Sequence, residues 1–337
     1  MSLADAAEKA DVSFSKIPII DLKNISNSDP SVRQALAEEI RDACMNVGFF
    51  YVKNHGIPEA TLEAALSETK QFFSLPLETK MEIDMRKTPN FKGYNPLFSG
   101  TNDLSTGLKD LHEGFEFGWE EIIPKDNDEK RANDGVMAGS NVWPRKQDAP
   151  HFREAVLSYY HAAVNLGKSL FPLFARALDL PETFFDDKTR NSAALMRVMH
   201  YPPHTPDVDE RVQGVGAHTD WECFTLLYQQ TDPPIQALQV LNASNQWVDA
   251  PPIPGTLVVN LGDQFARWTN DVFKSNVHRA TNKSGIERYS IPLFFGTDYD
   301  VRLEPIEGCV SAERPPKYEV ITAGQYVKER LKATYGH

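Results

Sequence analysis

An α+β fold is expected for this chain, with a helical N-terminal part wrapped on a β core. Three observations predict it. Apolar residues recur at helical spacing in the N-terminal half. After Asn191, short β-rich runs follow one another, separated by turn clusters. No repeat, low-complexity tract or Gly/Ser linker divides the 337 residues, so residues 1–337 read as a single elaborated unit. Several short strands at regular spacing suggest a sandwich, a jelly roll or a barrel.

The elements follow in chain order. Ile17-Pro18-Ile19-Ile20 reads as a strand. Asp29-Pro30 supplies a capping carboxylate and a proline at the first helical position. Val32, Leu36, Ile40 and Cys44 then recur every four residues, predicting an amphipathic helix to about Asn46 that Gly48 stops. Phe49-Phe50-Tyr51-Val52 is a strand by β-propensity, and a second helix is expected from near Pro58 to near Phe73. Residues 81–145 look irregular, and within them the polar stretch 124–140 reads as a solvated excursion. A long helix is marked from about 151 to 178 by Val156, Tyr159, Ala163, Leu166, Leu170 and Phe174, with Pro172 placed to bend it. Strands are expected at 194–201, 224–228, 238–241, 247–248, 257–261 and 288–295.

Composition narrows the function. The net charge is −12, the wrong sign for a general binder of nucleic acid or anionic membrane. The three cysteines (Cys44, Cys223, Cys309) are far apart and lack CxxC spacing, which fits a reducing compartment. The first twenty residues have no long apolar run, and no stretch approaches the ~20 apolar residues of a membrane span. A soluble, cytoplasmic protein is the expectation.

Most of the nine histidines sit in turns or in polar or helical settings. His218-Thr219-Asp220 differs, because on extended backbone residues i and i+2 share a face. Two imidazoles and one carboxylate on one face of an octahedron hold Fe(II) and leave three positions open. The second imidazole could come from His278, 58 residues beyond Asp220. An HxD pair alone equally suits a surface histidine with an aspartate partner. Ten residues beyond His278, alternation puts Arg288, Ser290, Pro292 and Phe294 on one strand face and Tyr289, Ile291, Leu293 and Phe295 on the other. A guanidinium fork with a hydroxyl two residues along is a receptor for a carboxylate. Taken alone, Arg288 would also suit a structural ion pair.

Taken together, His218, Asp220, His278, Arg288 and Ser290 resemble the Fe(II)/2-oxoglutarate-dependent dioxygenases, isopenicillin N synthase-like branch. The likeness extends over nearly the whole chain. It includes residues 17–22, 48–57, Phe72-Phe73 and Leu75-Pro76 at the N-terminus. In the core it includes Tyr201-Pro202-Pro203, Ala217-His218-Thr219-Asp220, Thr225-Leu226-Leu227, Asn260-Leu261-Gly262-Asp263 and His278-Arg279-Ala280. The resemblance implies a double-stranded β-helix (jelly roll) core at 190–300, an N-terminal dioxygenase region at 15–125, and flanking helices. It implies His218, Asp220 and His278 as ligands of Fe(II). Arg288, Ser290 and Tyr201 would bind the distal carboxylate of 2-oxoglutarate. O2 would be the second co-substrate, succinate and CO2 the released products, and hydroxylation, desaturation or cyclisation of a small organic molecule the outcome.

Some positions depart from the family pattern. Trp221 follows Asp220 in the run Trp221-Glu222-Cys223, where many members carry Gly two residues after the aspartate; the indole could stack on a flat substrate or pack into a loop. Met199 stands where plant members often have Asn. Alternation places Arg197 and Met199 with Tyr201, so Arg197 is expected to meet a carboxylate or other acceptor of the substrate, or to form a structural ion pair. Phe294 is a further candidate wall. The stretch 86–105, with Phe91 and Tyr94, is expected to line the pocket. The alternatives are an O2-only iron oxidase of the same fold, a zinc hydrolase, and a non-catalytic jelly-roll sensor. The first two have no use for the Arg288–Ser290 pair.

Overall fold

The computed structural model describes residues 3–10, 13–122, 139–205, 208–209, 211–281 and 283–335. The expected excursion at 124–140 lies outside them except for its last two residues. Twelve strands among the described residues form two sheets, and seven α-helices flank them. The larger sheet has the order β1 (Ile19–Asp21), β2 (Phe49–Lys53), β10 (Thr256–Leu261), β7 (Phe224–Gln229), β12 (Arg288–Phe295), β5 (Ala194–Tyr201), β4 (Glu113–Phe117) and β3 (Gly93–Asn95). The smaller has the order β6 (Val215–His218), β11 (His278–Ala280), β8 (Leu238–Leu241) and β9 (Trp247–Asp249). All pairings are antiparallel except β1 with β2.

The sheets face one another. Phe49, Tyr51 and Val258 of the larger pack on Leu238, Val240 and Val248 of the smaller, and Met199 and Tyr201 pack on Val215 and Ala280. This is the jelly-roll sandwich. The outer face of the larger sheet is covered by α2 (Pro30–Asn46), α3 (Glu59–Phe73) and α5 (Phe152–Ala177), whose apolar stripes join Tyr289, Ile291, Leu293 and Phe295 in one core. β12 is therefore covered on both faces and apolar along most of its length, yet its alternation still decides which residues enter the cavity.

Local chemistry explains the boundaries. Asp29 caps α2 by accepting the Ser31 N–H at 2.8 Å, with Pro30 at the first helical position. Gly48 ends the turn at φ +68°, where an added Cβ would lie 2.3 Å from the Lys274 carbonyl oxygen. Only glycine meets both conditions. The long helix α5 runs through Pro172, and its Gly167 lies against the ring of Phe295, 3.2 Å from where a Cβ would stand.

The region expected to be irregular holds β3 and β4. Glu113 and Glu116 interrupt any apolar pattern there, yet both are buried because distant cations meet them. Glu113 accepts from Lys80 Nζ at 2.8 Å, Tyr94 Oη at 2.5 Å and His200 Nδ1 at 2.8 Å. The structure also adds the helices α1 (Leu3–Glu8), α4 (Leu77–Met81), α6 (Asp263–Trp268) and α7 (Ala323–Tyr335), and strands β6 and β11, to the expected elements.

Candidate active site

His218 ends β6, His278 begins β11, and the two are direct cross-strand partners. Their ring centroids lie 4.3 Å apart. Asp220 follows two residues after His218, on the loop leading into β7. Its Oδ1 lies 3.5 Å from His218 Nε2 and 3.7 Å from His278 Nε2. One ligand atom from each of the three residues falls within a 4.8 Å cluster.

Each group is oriented by a second contact. His218 Nδ1 donates to the Gly216 carbonyl at 2.8 Å and His278 Nδ1 to the Asn276 carbonyl at 3.1 Å. Those bonds place the ring proton on Nδ1 and leave the Nε2 lone pairs facing Asp220. Asp220 Oδ2 accepts from Thr225 Oγ1 at 2.5 Å and Asn260 Nδ2 at 2.7 Å. Thr225 and Asn260 are paired across β7 and β10, so the larger sheet grips a loop that issues from the smaller one. Both residues belong to the sequence motifs, but their hold on Asp220 emerges only in three dimensions.

The electrostatics suit a cation. Against the burial penalty, the two imidazoles and the Thr225 hydroxyl hold the Asp220 carboxyl far below its usual range. Burial and the neighbouring His218 push His278 down to about 4, keeping it neutral. Burial opposes protonation of His218 as well, but the Asp220 carboxylate outweighs it and draws the pKa up. A carboxylate and two imidazoles bearing inward lone pairs are the donor set that Fe(II) takes.

The second half of the site lies on β12 and β5. Arg288 is 3% exposed. Its Nη2 donates to Gln229 Oε1 at 3.1 Å, its guanidinium stacks 4.6 Å from the Tyr201 ring centre, and its buried Nη1 has no hydrogen-bond partner among the described residues. A buried, unsatisfied guanidinium donor is costly, and an incoming carboxylate removes that cost. Ser290 Oγ and Tyr201 Oη lie 3.3 Å apart, and Tyr201 Oη is 3.3 Å from Met199 Sδ. Pairing of Arg288 with Tyr201 and of Ser290 with Met199 brings the expected receptor together on one face.

One cleft, about 1140 Å³ when the open solvent at its mouth is included, is lined by the expected triad, this receptor, Arg197, Met199, Trp221 and Phe294. Arg197 forms an ion pair with Glu116, its cross-strand neighbour on β4, so the structural-pair alternative is present although both residues line the cleft. Burial lifts the Glu116 carboxyl above its ordinary value, and the Arg197 charge opposes that rise. Trp221 both lines the cleft and packs against the cluster of Ala193, Tyr299, Val327 and Leu331. Burial pushes the Glu222 carboxyl up to about 8, against the hydrogen bonds from Gln264 and Tyr299.

The expectation for residues 86–105 is corrected. Tyr94 is buried in the helix-covered core with its hydroxyl on Glu113, and Phe91 packs on the Tyr299 cluster. From that stretch, Asn102 reaches the cleft, and α7 contributes Val327 and Leu331. Glu116, unremarked in the sequence, is a further charged residue of the wall, as are Glu222 and Arg279.

Known proteins resemble this chain in sequence and in fold. Residues 17–146 match the family model for the N-terminal region of the non-haem dioxygenases named for morphine synthesis, and residues 192–297 match that of the 2OG-Fe(II) oxygenase superfamily. The 2-oxoglutarate-Fe(II) type oxidoreductase hxnY of Emericella nidulans is 40% identical over 95% of this chain and 90% of its own length. Homoarginine-6-hydroxylase of Glycine max is 34% identical over 87% of this chain and 89% of its own. The crystal structure of a full-length Neurospora crassa protein in complex with alpha-KG and thymine superposes with a TM-score of 0.81 at 29% identity, covering 94% of this chain and 96% of that one. The chain therefore belongs to the 2OG-Fe(II) oxygenase superfamily, and it is an Fe(II)- and 2-oxoglutarate-dependent dioxygenase of small molecules.

Proposed function

We propose that His218, Asp220 and His278 hold Fe(II), and that Arg288, Ser290 and Tyr201 hold the distal carboxylate of 2-oxoglutarate. The observation that carries this is the buried Nη1 of Arg288, which lacks a partner and lies in the same cleft as the three oriented donors. Together, bound Fe(II), 2-oxoglutarate and O2 supply the oxidation: 2-oxoglutarate is decarboxylated to succinate and CO2 while the substrate is hydroxylated, desaturated or cyclised.

The chain's own residues place and shield. Gly216 and Asn276 carbonyls fix the imidazole tautomers, and Thr225 and Asn260 leave Asp220 Oδ1 directed at them. Val215, Leu227 and Leu238 make the surrounding wall apolar, which strengthens every charge contact inside it and limits water. Arg197, Met199, Trp221 and Phe294 form the substrate wall. Trp221 and Phe294 offer ring faces to a flat molecule, and the Neurospora crassa protein in complex with thymine gives precedent for a planar one. The pairing of β2 with β10 joins the N-terminal region to the core sheet and supports reading both as one catalytic unit. Three free, buried cysteines support a reducing, cytoplasmic setting, and the charge of −12 supports a small-molecule rather than a nucleic-acid partner. No helix among the described residues is long and apolar enough to cross a membrane.

The test is stoichiometry. One succinate released per substrate oxidised, lost with Arg288→Met and restored in part by raised 2-oxoglutarate, supports the assignment. Turnover independent of 2-oxoglutarate overturns it.

A further inference from the structure

Resting on the reading of the cleft just given, we infer that Glu116 is a specificity-determining residue that makes the substrate pocket select an uncharged molecule carrying a carbonyl-type acceptor over a carboxylate. Arg197 sits opposite Pro292 on the inward face, because Ser290 pairs with Met199 and Phe294 with Leu195. It therefore stands one inward position from Ser290 toward Phe294, beyond the 2-oxoglutarate receptor. A lone arginine there would recruit an anion. It is not alone: Glu116, 2% exposed, is its partner across β4 and lines the same cleft. Gly114, the neighbouring inward position on β4, lies beside the arginine stem, which is at ordinary contact distance, 3.5 Å, from where a Cβ would stand.

The pair has no net charge, and its Coulomb attraction is strong because both side chains are largely buried. A substrate carboxylate that approached Arg197 would lie next to the buried Glu116 carboxylate and incur like-charge repulsion. Glu222 is a second buried acid on the cleft wall, with Gln264 Nε2 donating to its Oε2 at 2.8 Å. A carbonyl, lactam or amide oxygen accepts an Arg197 N–H without adding charge, and Asn102 provides a further neutral polar contact in the cleft. The guanidinium also lies 5.8 Å from the Phe294 ring centre, so the polar edge and the ring face are adjacent. This selects between the two substrate contacts first expected of Arg197: a neutral acceptor, not a carboxylate.

The test uses the holoenzyme, anaerobic, with Fe(II) and 2-oxoglutarate bound and their charge-transfer band as the readout. Two matched pairs serve as probes: benzamide against benzoate, and thymine against uracil-5-carboxylate. In wild type, an uncharged member perturbs the band and its carboxylate counterpart binds at least tenfold more weakly, equal to about 1.4 kcal/mol. Glu116→Gln keeps an oxygen for Arg197 but removes the negative charge, so relative affinity for the carboxylates rises at least tenfold. The double variant Glu116→Gln/Arg197→Gln shows no such gain, which separates charge from altered packing. Band formation reports that each variant is folded and loaded. Carboxylate preference in wild type, no binding by any uncharged probe, or an unchanged ratio in Glu116→Gln overturns the inference. Failure of the band to form in wild type instead overturns the cofactor assignment on which it rests.

Discussion

Thr225→Val is a direct perturbation of the metal centre that leaves every proposed ligand in place. Thr225 Oγ1 donates to Asp220 Oδ2 at 2.5 Å, and Asn260 Nδ2 donates to the same oxygen at 2.7 Å. Valine keeps the shape and removes one charge-assisted bond, which contributes about 1.5–3 kcal/mol. Supporting contacts to metal ligands are worth roughly 10–100-fold in metal affinity, which is about 1.4–2.7 kcal/mol. The two ranges agree, so Fe(II) should bind about 10–100-fold more weakly. Because Asn260 still serves Oδ2, no buried oxygen is orphaned and the loss of thermal stability in the metal-free protein should not exceed that bond's own contribution of about 1.5–3 kcal/mol. Isothermal titration with Fe(II) under anaerobic conditions, beside a melting curve of the metal-free protein, measures both. Metal affinity within twofold of wild type would refute the reasoning, because Oδ2 would then have no part in aiming Oδ1. A large loss of stability would refute it differently, by showing that the hydroxyl supports the fold rather than the site.

Other consequences are equally concrete. Arg288→Met should raise the 2-oxoglutarate KM by about 30-fold or more, from about 2 kcal/mol or more of lost charge-assisted bonding, while Fe(II) affinity stays near wild type; steady-state kinetics with varied 2-oxoglutarate checks it. Asp110 takes the Gly216 N–H at 2.7 Å while the Gly216 carbonyl orients His218, so Asp110→Asn should weaken Fe(II) binding, with a changed charge-transfer band as the spectroscopic sign. Gly48→Ala should lower the melting temperature, since its Cβ meets the Lys274 carbonyl at 2.3 Å on a backbone with φ +68°; the cost is about 1–3 kcal/mol. Burial opposes ionisation of Glu113, but bonds from His200, Lys80 and Tyr94 prevail and hold its pKa below 4.5. A depressed folded pKa gives stability that is full above the unfolded value and is lost as pH falls through the folded one. Urea titrations of Glu113→Gln should therefore differ from wild type most at neutral pH and converge below about pH 4.5.

The parts of the fold legible in the sequence are those whose partners are apolar and local. The four-residue recurrence from Val32 to Cys44 and the alternation through Arg288–Phe295 reflect one face against one core, and both elements stand where the pattern puts them. β4 is illegible because its buried Glu113 and Glu116 are satisfied by Lys80, His200 and Arg197, and no short window contains both members of such a pair. The proposed triad and carboxylate receptor rest on residue types that suit one chemistry and on motifs that fall in the order the resemblance requires. The substrate wall is not legible in this way. Glu116 and Asn102 enter the cleft from a glycine- and asparagine-rich region without periodicity, and Val327 and Leu331 come from a C-terminal helix with no motif of its own.

The central claim is that the three oriented donors and the unsatisfied Arg288 form one Fe(II)/2-oxoglutarate site. An anaerobic titration of the purified chain with Fe(II) and 2-oxoglutarate tests it most directly. The account predicts a metal-to-ligand charge-transfer band that saturates at one equivalent of each, is lost in His278→Ala, and needs far more 2-oxoglutarate in Arg288→Met. No band in wild type, or a band of full strength in His278→Ala, would contradict it.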